Sequence, residues 1–318
     1  MAVTLAQAKL NVQDDLQAGI IDEFRKSNYL MNALTFDDCV SPTGGGATLT
    51  YGYTRLITQP TADFRSVNAE YTPSEVSKQR YTVDLKVFGG AYEIDRIIAN
   101  MGGIADEVAL QSAQKVKAAS ALFNDTVING DSATNSDAFD GLDVALTGTA
   151  TEFNAGGSVI DLSTAEAIKT NGDAFLLMLH KALGKLDGKP TALMGNSDMI
   201  AVLEYLAKYQ GRYQERQDDF GNYYATYNGI PLIDLGAKCG SNDPIVANDE
   251  TNGSSLYFAR FGLDGFHAVS MAGQAPIKTW LPDFSTAGAV KKGEVEMIAA
   301  VALKATNAAG VLRKIKVA

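Results

Sequence analysis

The residue types that most often do chemistry are sparse in this chain. Its two histidines, His180 and His267, lie 87 residues apart, one in a helical pattern and one in an apolar strand pattern. Each is expected to be an ordinary structural or surface histidine. The two cysteines, Cys39 and Cys239, are 200 residues apart. Two incidental thiols suit a reducing compartment and argue against a disulfide framework. No His/Cys cluster has zinc spacing, and no His-Glu-x-x-His motif occurs. The stretch "GKLDGKPT", Gly184–Thr191, imitates a phosphate-binding loop. Only three residues separate its glycines, however, Pro190 replaces the Ser or Thr required after Lys189, and a helix precedes it rather than a strand. A helix C-cap and turn is expected there.

Other oxygen-rich and glycine-rich stretches end the same way. "DSATNSDAFDG", Asp131–Gly141, lacks the alternation of a calcium loop, with Gly at position six and Glu at twelve, and is expected to be a turn-rich connection. "SPTGGGATL" is not a dinucleotide fingerprint, because no strand precedes it and no helix opens after it. The Asn252-Gly-Ser254 acceptor pattern means little without a secretory signal. No nucleophile-elbow motif is present. These residues assign no catalytic, cofactor-binding or metal site, so the chain is expected not to be an enzyme. An unrecognised α/β enzyme is kept as an alternative.

Stepping outward from these residues, the elements follow in a definite order. Residues 13–26, "QDDLQAGIIDEFRK", space Leu16, Ile20 and Phe24 for a short amphipathic helix with acids early and bases late. Residues 1–45 are expected to form an arm rather than a domain, with "SPTGGGA" as a hinge. "TLTYGYTRL", from Thr48 to Leu56, and "RYTVDLKVF", from Arg80 to Phe88, alternate with the two-residue period of half-buried strands. Between them lies a polar tip, Ile57–Gln79, with Pro60 and Pro73. A hairpin of this kind is marginal alone in water.

"IADEVALQSAQKVKAASALFNDTVING" predicts a long helix, stopped by a left-handed Asn129-Gly130. "STAEAIKTNGDAFLLMLHKALGKLDG" predicts a second, opened by a capping box from Ser163 to Glu166. "KPTALMGNSDMIAVLEYLAKY" reads as strand, Asn/Ser cap and helix, and Asn228-Gly229 as a hairpin turn. Strand patterns dominate from Ser255 onward. The order implies an α+β fold.

Net charge is −10, which disfavours broad adhesion to nucleic acid. The charge is uneven: residues 91–186 carry 13 acids and 6 bases, residues 251–318 carry 4 acids and 8 bases. In the final "VLRKIKV", Val311, Ile315 and Val317 alternate with Arg313, which predicts a solvated terminal strand rather than a phosphate site. No apolar run reaches a membrane span, and the first residues do not read as a signal peptide.

Taken in order, these segments resemble the major capsid protein of tailed bacteriophages, the Hong Kong phage type. The resemblance rests on Phe123, Ile128, Asn129, Gly130 and Asp131 followed by Gly141-Leu142, on Met194, Asn196, Ser197 and Gly211–Tyr213, and on Gly229–Pro231. It implies an N-terminal arm at 1–45 and an extended loop at 46–90. It further implies a peripheral domain at 91–190 and 251–318 with a long spine helix, and an axial domain at 191–250.

As function, the resemblance implies hexamers and pentamers of the chain in an icosahedral head shell around a double-stranded DNA genome. Scaffolding, portal and possibly decoration proteins would be separate partners, contact with packaged DNA weak and nonspecific, and no membrane involved. Assembly would take place in the bacterial host cytoplasm and the final location would be the virion. Some family members carry a cleaved N-terminal scaffolding segment; because the arm pattern starts within the first residues after Met1, none is expected here. Lys78 is expected to be a plain surface lysine rather than a cross-linking one. An encapsulin-type compartment would share the fold and is the alternative.

Overall fold

The computed structural model describes residues 29–41, 48–100, 106–209, 211, 213–217, 223–249 and 251–318. The helix expected over 13–26 and most of the Gly hinge lie outside them. So does Ile104 of the long-helix pattern.

Two large sheets and one isolated ribbon carry the chain. The first sheet centres on the 14-residue strand β14, Val290–Leu303. Strand β4 (Lys86–Asp95) pairs along it for ten residues, from Asp95 opposite Val290 to Lys86 opposite Ala299. The other edge of β14 takes β13 (Ile277–Trp280) and then β12 (Phe266–Met271), both antiparallel. Strand β1 (Phe36–Val40) extends the sheet parallel to β12, just after the short helix α1 (Tyr29–Ala33). Leu30, Leu34 and Val40 are buried. This last part of the range expected to be an arm is therefore built into the core.

The second sheet runs β5-β15-β11-β7-β10-β9-β8, with β6 also on β15. Its members are β5 (Glu152–Phe153), β6 (Ile160–Asp161), β7 (Ala192–Gly195), β8 (Tyr213–Gln217), β9 (Tyr223–Tyr227), β10 (Ile230–Asp234), β11 (Ser254–Ala259) and β15 (Ala309–Lys316). This sheet is a wall between two cores. On one face Met194, Tyr257, Ala259 and Val311 meet Phe123, Val127, Ile128 and the first sheet. On the other, Leu193, Leu256, Phe258, Leu312 and Ile315 meet two helices, α5 (Ala165–Gly184) and α6 (Ser197–Tyr209). Strands covered on both faces lose polar alternation, which is why "ALMG" and "SLYFA" are nearly all apolar. Helix α5 and strands β11 and β15 thus share a core with elements of the 191–250 range.

The spine helix α3 (Glu107–Asn129) is 23 residues long, about 35 Å at 1.5 Å per residue. Asp106 caps it, its carboxylate accepting from the N–H groups of Val108 and Ala109. Only its C-terminal half is buried, from Ala119 to Ile128. Its stop is not left-handed: Gly130 has φ −60° and ψ 136°. Glycine is needed there because a Cβ would lie 2.2 Å from the carbonyl oxygen of Phe139. Helices α2 (Arg96–Ala99) and α4 (Leu142–Leu146) are single turns.

Several local expectations change. Helix α5 is capped by Thr164, whose hydroxyl accepts from Ala167 N–H, while Ser163 donates to Asp161 instead. The "RYTVDLKVF" segment is not one strand. Arg80–Asp84 belongs to β3 (Lys78–Asp84), Leu85 is buried, and β4 begins at Lys86 in another sheet. The change of sheet reverses the parity, so Val87 is exposed and Phe88 turns inward onto Phe123 and Phe139. Asn228 and Gly229 have φ 51° and 71°, the paired positive values of a type I′ hairpin turn.

Candidate assembly surface

Among the described residues no group of three or more side chains that could hold a metal ion occurs. The residues singled out from sequence are scattered. His180 Nε2 pairs with the Tyr227 hydroxyl at 2.9 Å. Asp131 accepts from Ala133 N–H and the Thr134 hydroxyl, and Asp140 from Ser132 N–H, which closes the 131–141 stretch as a set of turns. "GKLDGKPT" is the end of α5 and its exit turn, with Lys185 at the C-cap. Cys39 and Cys239 are both free and exposed. Lys78 is exposed at the start of β3, opposite Leu56.

Arg313 departs from its expected role. It neither faces solvent nor waits for phosphate: its Nε meets Glu152 at 2.5 Å and its Nη1 meets Asp143 at 2.6 Å. The Tyr257 hydroxyl donates to the same Asp143 oxygen at 2.6 Å. Burial, then the Asp143 charge, pushes the Tyr257 phenol well above its usual range. Strand β15 is also interior rather than terminal in the sheet, lying between β11 and the pair β5 and β6. A bulge at Lys314, φ 60°, shifts its register. Val311 therefore faces one core while Leu312 and Ile315 both face the other.

The feature that stands apart is the hairpin of β2 (Thr50–Leu56) and β3, a two-stranded sheet joined to neither large sheet. Its pairs run from Thr50 opposite Asp84 to Leu56 opposite Lys78. Its root leans on the subunit's own core. Tyr51 is buried and donates to Asp37 Oδ2 at 2.8 Å. Tyr53 donates to the Leu303 carbonyl at 3.0 Å. Around Asp37 lie Lys304 at 3.8 Å and the fully buried ring of His267 at 3.9 Å. Burial alone would raise the Asp37 carboxyl, but hydrogen bonds from Tyr51 and the Cys39 thiol, with the Lys304 charge, hold it below its usual range. Burial, then the Lys304 cation, lowers His267 below its ordinary value.

The tip, residues 57–77, touches little of this. Phe64 is fully exposed, Val67 is 88% exposed, and Leu56, Ile57 and Tyr71 are each more than half exposed. The tip is held by its own polar pairs: Ile57 N–H to the Ser77 carbonyl at 2.9 Å, Thr58 to Ser77 hydroxyl at 2.8 Å, and Thr61 N–H to the Ser74 hydroxyl at 3.0 Å. Arg65 covers the Tyr71 ring, and Asn68 turns the chain with φ 69°. A second exposed apolar group, Ile97, Trp280, Leu281 and Val290, lies on elements at the far end of the first sheet. Exposed apolar surface gathered on projecting elements marks contact surface rather than catalytic surface.

No family model matches the chain, and no curated protein does. Solved structures do. The holo-SrpI encapsulin complex of Synechococcus elongatus PCC 7942 aligns at 13% identity and TM-score 0.66, covering 100% of this chain and 97% of that one. The capsid of a native GTA particle aligns at 14% and 0.65, covering 97% of both. A chain from Mycobacterium phage Bobi aligns at 13% and 0.63, covering 99% of both. At such identities the likeness concerns the course of the backbone, and it runs end to end: the chain has the α+β capsid fold of the Hong Kong phage type.

Proposed function

We propose that the chain is the major capsid protein of a tailed double-stranded DNA phage, assembling as hexamers and pentamers into the icosahedral head shell around the genome. The observation that carries the reading is the end-to-end fold likeness to a capsid and to an encapsulin shell, 97–100% of either chain. The exposed hairpin tip supports it, because residues 57–77 all lie open to solvent. In this reading residues 91–190 and 251–318 make up the peripheral domain, with α3 as its spine, and residues 191–250 the axial domain. The tip of the extended loop, residues 57–77, lies across a neighbouring subunit.

Scaffold, portal and any decoration protein are separate chains. Net charge −10 favours only weak, nonspecific contact with packaged DNA. The shell performs no catalysis and needs no membrane; no described helix is long and apolar enough to cross one. Assembly takes place in the host cytoplasm, and the product is the virion.

The test is sedimentation and negative-stain imaging of the purified chain, then of particles from its native source. Closed shells with nuclease-resistant DNA in the native particles are expected. A compact monomer at high concentration in every salt contradicts the reading, and native shells filled with a protein cargo select the encapsulin alternative.

A further inference from the structure

The hairpin's direction rests on few contacts. On its inward face, Tyr51 anchors the root and Arg55 is the last side chain to reach the core. Leu56 and Ile57, which follow, are exposed. Four residues of strand separate the two anchors, about 13 Å at 3.3 Å per residue. Arg55 Nε donates to the Lys304 carbonyl at 2.8 Å, Nη1 to the Thr306 hydroxyl at 3.3 Å, and Nη2 to both the Tyr53 hydroxyl at 3.2 Å and the Leu303 carbonyl. The same guanidinium lies 4.3 Å from the centre of the Tyr81 ring on the opposite strand, and Tyr53 stacks on Tyr81. One planar group thus ties both strands of the hairpin to the end of β14.

Two clefts flank the hairpin and share Arg55 and Tyr81 as lining. One, of about 410 Å³, is bounded by Thr82, Asp84, Ala138, Asp140 and Val144. The other, of about 830 Å³, is bounded by Leu56, Ile57, Lys185, Asp187 and Asn307. Without Arg55 the ribbon would keep its root at Tyr51 and Tyr53 and have room to move on either side. Among the described residues no carboxylate pairs with the guanidinium, and the bonds it makes there depend on the planar fork matching carbonyl and hydroxyl positions, which a lysine cannot reproduce.

We propose that Arg55 is the latch that sets the direction in which the hairpin leaves the core, and that its release lets the hairpin swing into the flanking clefts. The latch acts within one subunit and does not depend on the shell reading.

The test measures the width of the larger cleft with spin labels at Leu56→Cys and Asp187→Cys, in a Cys39→Ser, Cys239→Ser background. Labelled chain is diluted into unlabelled chain so that only pairs within one chain are read. The parent is expected to give one narrow distance distribution. Arg55→Ala should broaden it at least twofold, and Arg55→Lys should fall between. A distribution in Arg55→Ala as narrow as the parent's overturns the proposal. Should Arg55→Ala fail to fold, Arg55→Lys decides: broadening supports the latch, and a width equal to the parent's overturns it.

Discussion

Strands β2 and β15 read alike in sequence, each a short alternation of apolar and polar residues, yet they live in opposite surroundings. Strand β15 has neighbours on both edges and cores on both faces: Val311, Leu312 and Ile315 are wholly buried, and its one inward cation is matched by two carboxylates. Strand β2 has one neighbour, β3, and touches the core at its root, where Tyr51 is buried, and beyond that through Tyr53 and the Arg55 guanidinium. Alternation reports that a segment is extended. It does not report how many partners the strand finds, and in this molecule the partners separate scaffold from projecting arm.

Substitutions should widen that contrast. The largest effect is expected at Leu312→Ala, which opens a cavity behind α5 and α6 and should cost about 2–5 kcal/mol, read as a lower urea midpoint. Arg313→Ala should follow at roughly 2–4 kcal/mol, because Glu152 and Asp143 lose their cation in a mostly buried place.

A smaller effect concerns the root of the hairpin. His267 has a lowered pKa in the fold, so the unfolded chain takes up its proton first. Its contribution is complete above about pH 6.5, the ordinary histidine value, and is lost as the pH falls below that. Asp37, also lowered, adds a further loss at more acid pH as its carboxylate is protonated. Urea midpoints at pH 7.5, 6 and 5 should fall in that order, and His267→Leu should flatten the step between 6 and 5. The smallest effect is expected at Leu56→Ala on β2, within about 0.5 kcal/mol, since that side chain is already in water. A cost above 2 kcal/mol there would erase the contrast.

Much of the fold was legible because local chemistry and tertiary structure agree. The Asn196 cap of α6, the type I′ turn at Asn228-Gly229 and the C-cap at Lys185 are all local events. The misses are nonlocal. Unbroken alternation across Leu85 hid a change of sheet, which only the pairing of β4 with β14 reveals. The bulge at Lys314 hid a change of face, and Arg313 looked solvated because Asp143 and Glu152 lie more than 160 residues away in sequence. The described end of the range 1–45 packs into the core through Leu30, Leu34 and Val40, whose partners come from distant segments of the chain. For the candidate surface, the polar composition of the tip was a sufficient signal. The Tyr51, Tyr53 and Arg55 contacts were not legible, since their acceptors are backbone carbonyls and a carboxylate supplied by other strands.

The central claim is that the hairpin tip serves other subunits and not its own. It is tested most directly by replacing residues 57–77 with a two-residue Asn-Gly turn between Leu56 and Lys78, which preserves the pairing of β2 with β3. Urea unfolding and sedimentation are then compared with the parent. The account predicts a folded subunit with its midpoint unchanged, together with lost or heat-fragile shells. Shells of normal size and heat resistance would contradict it, and so would a subunit that no longer folds.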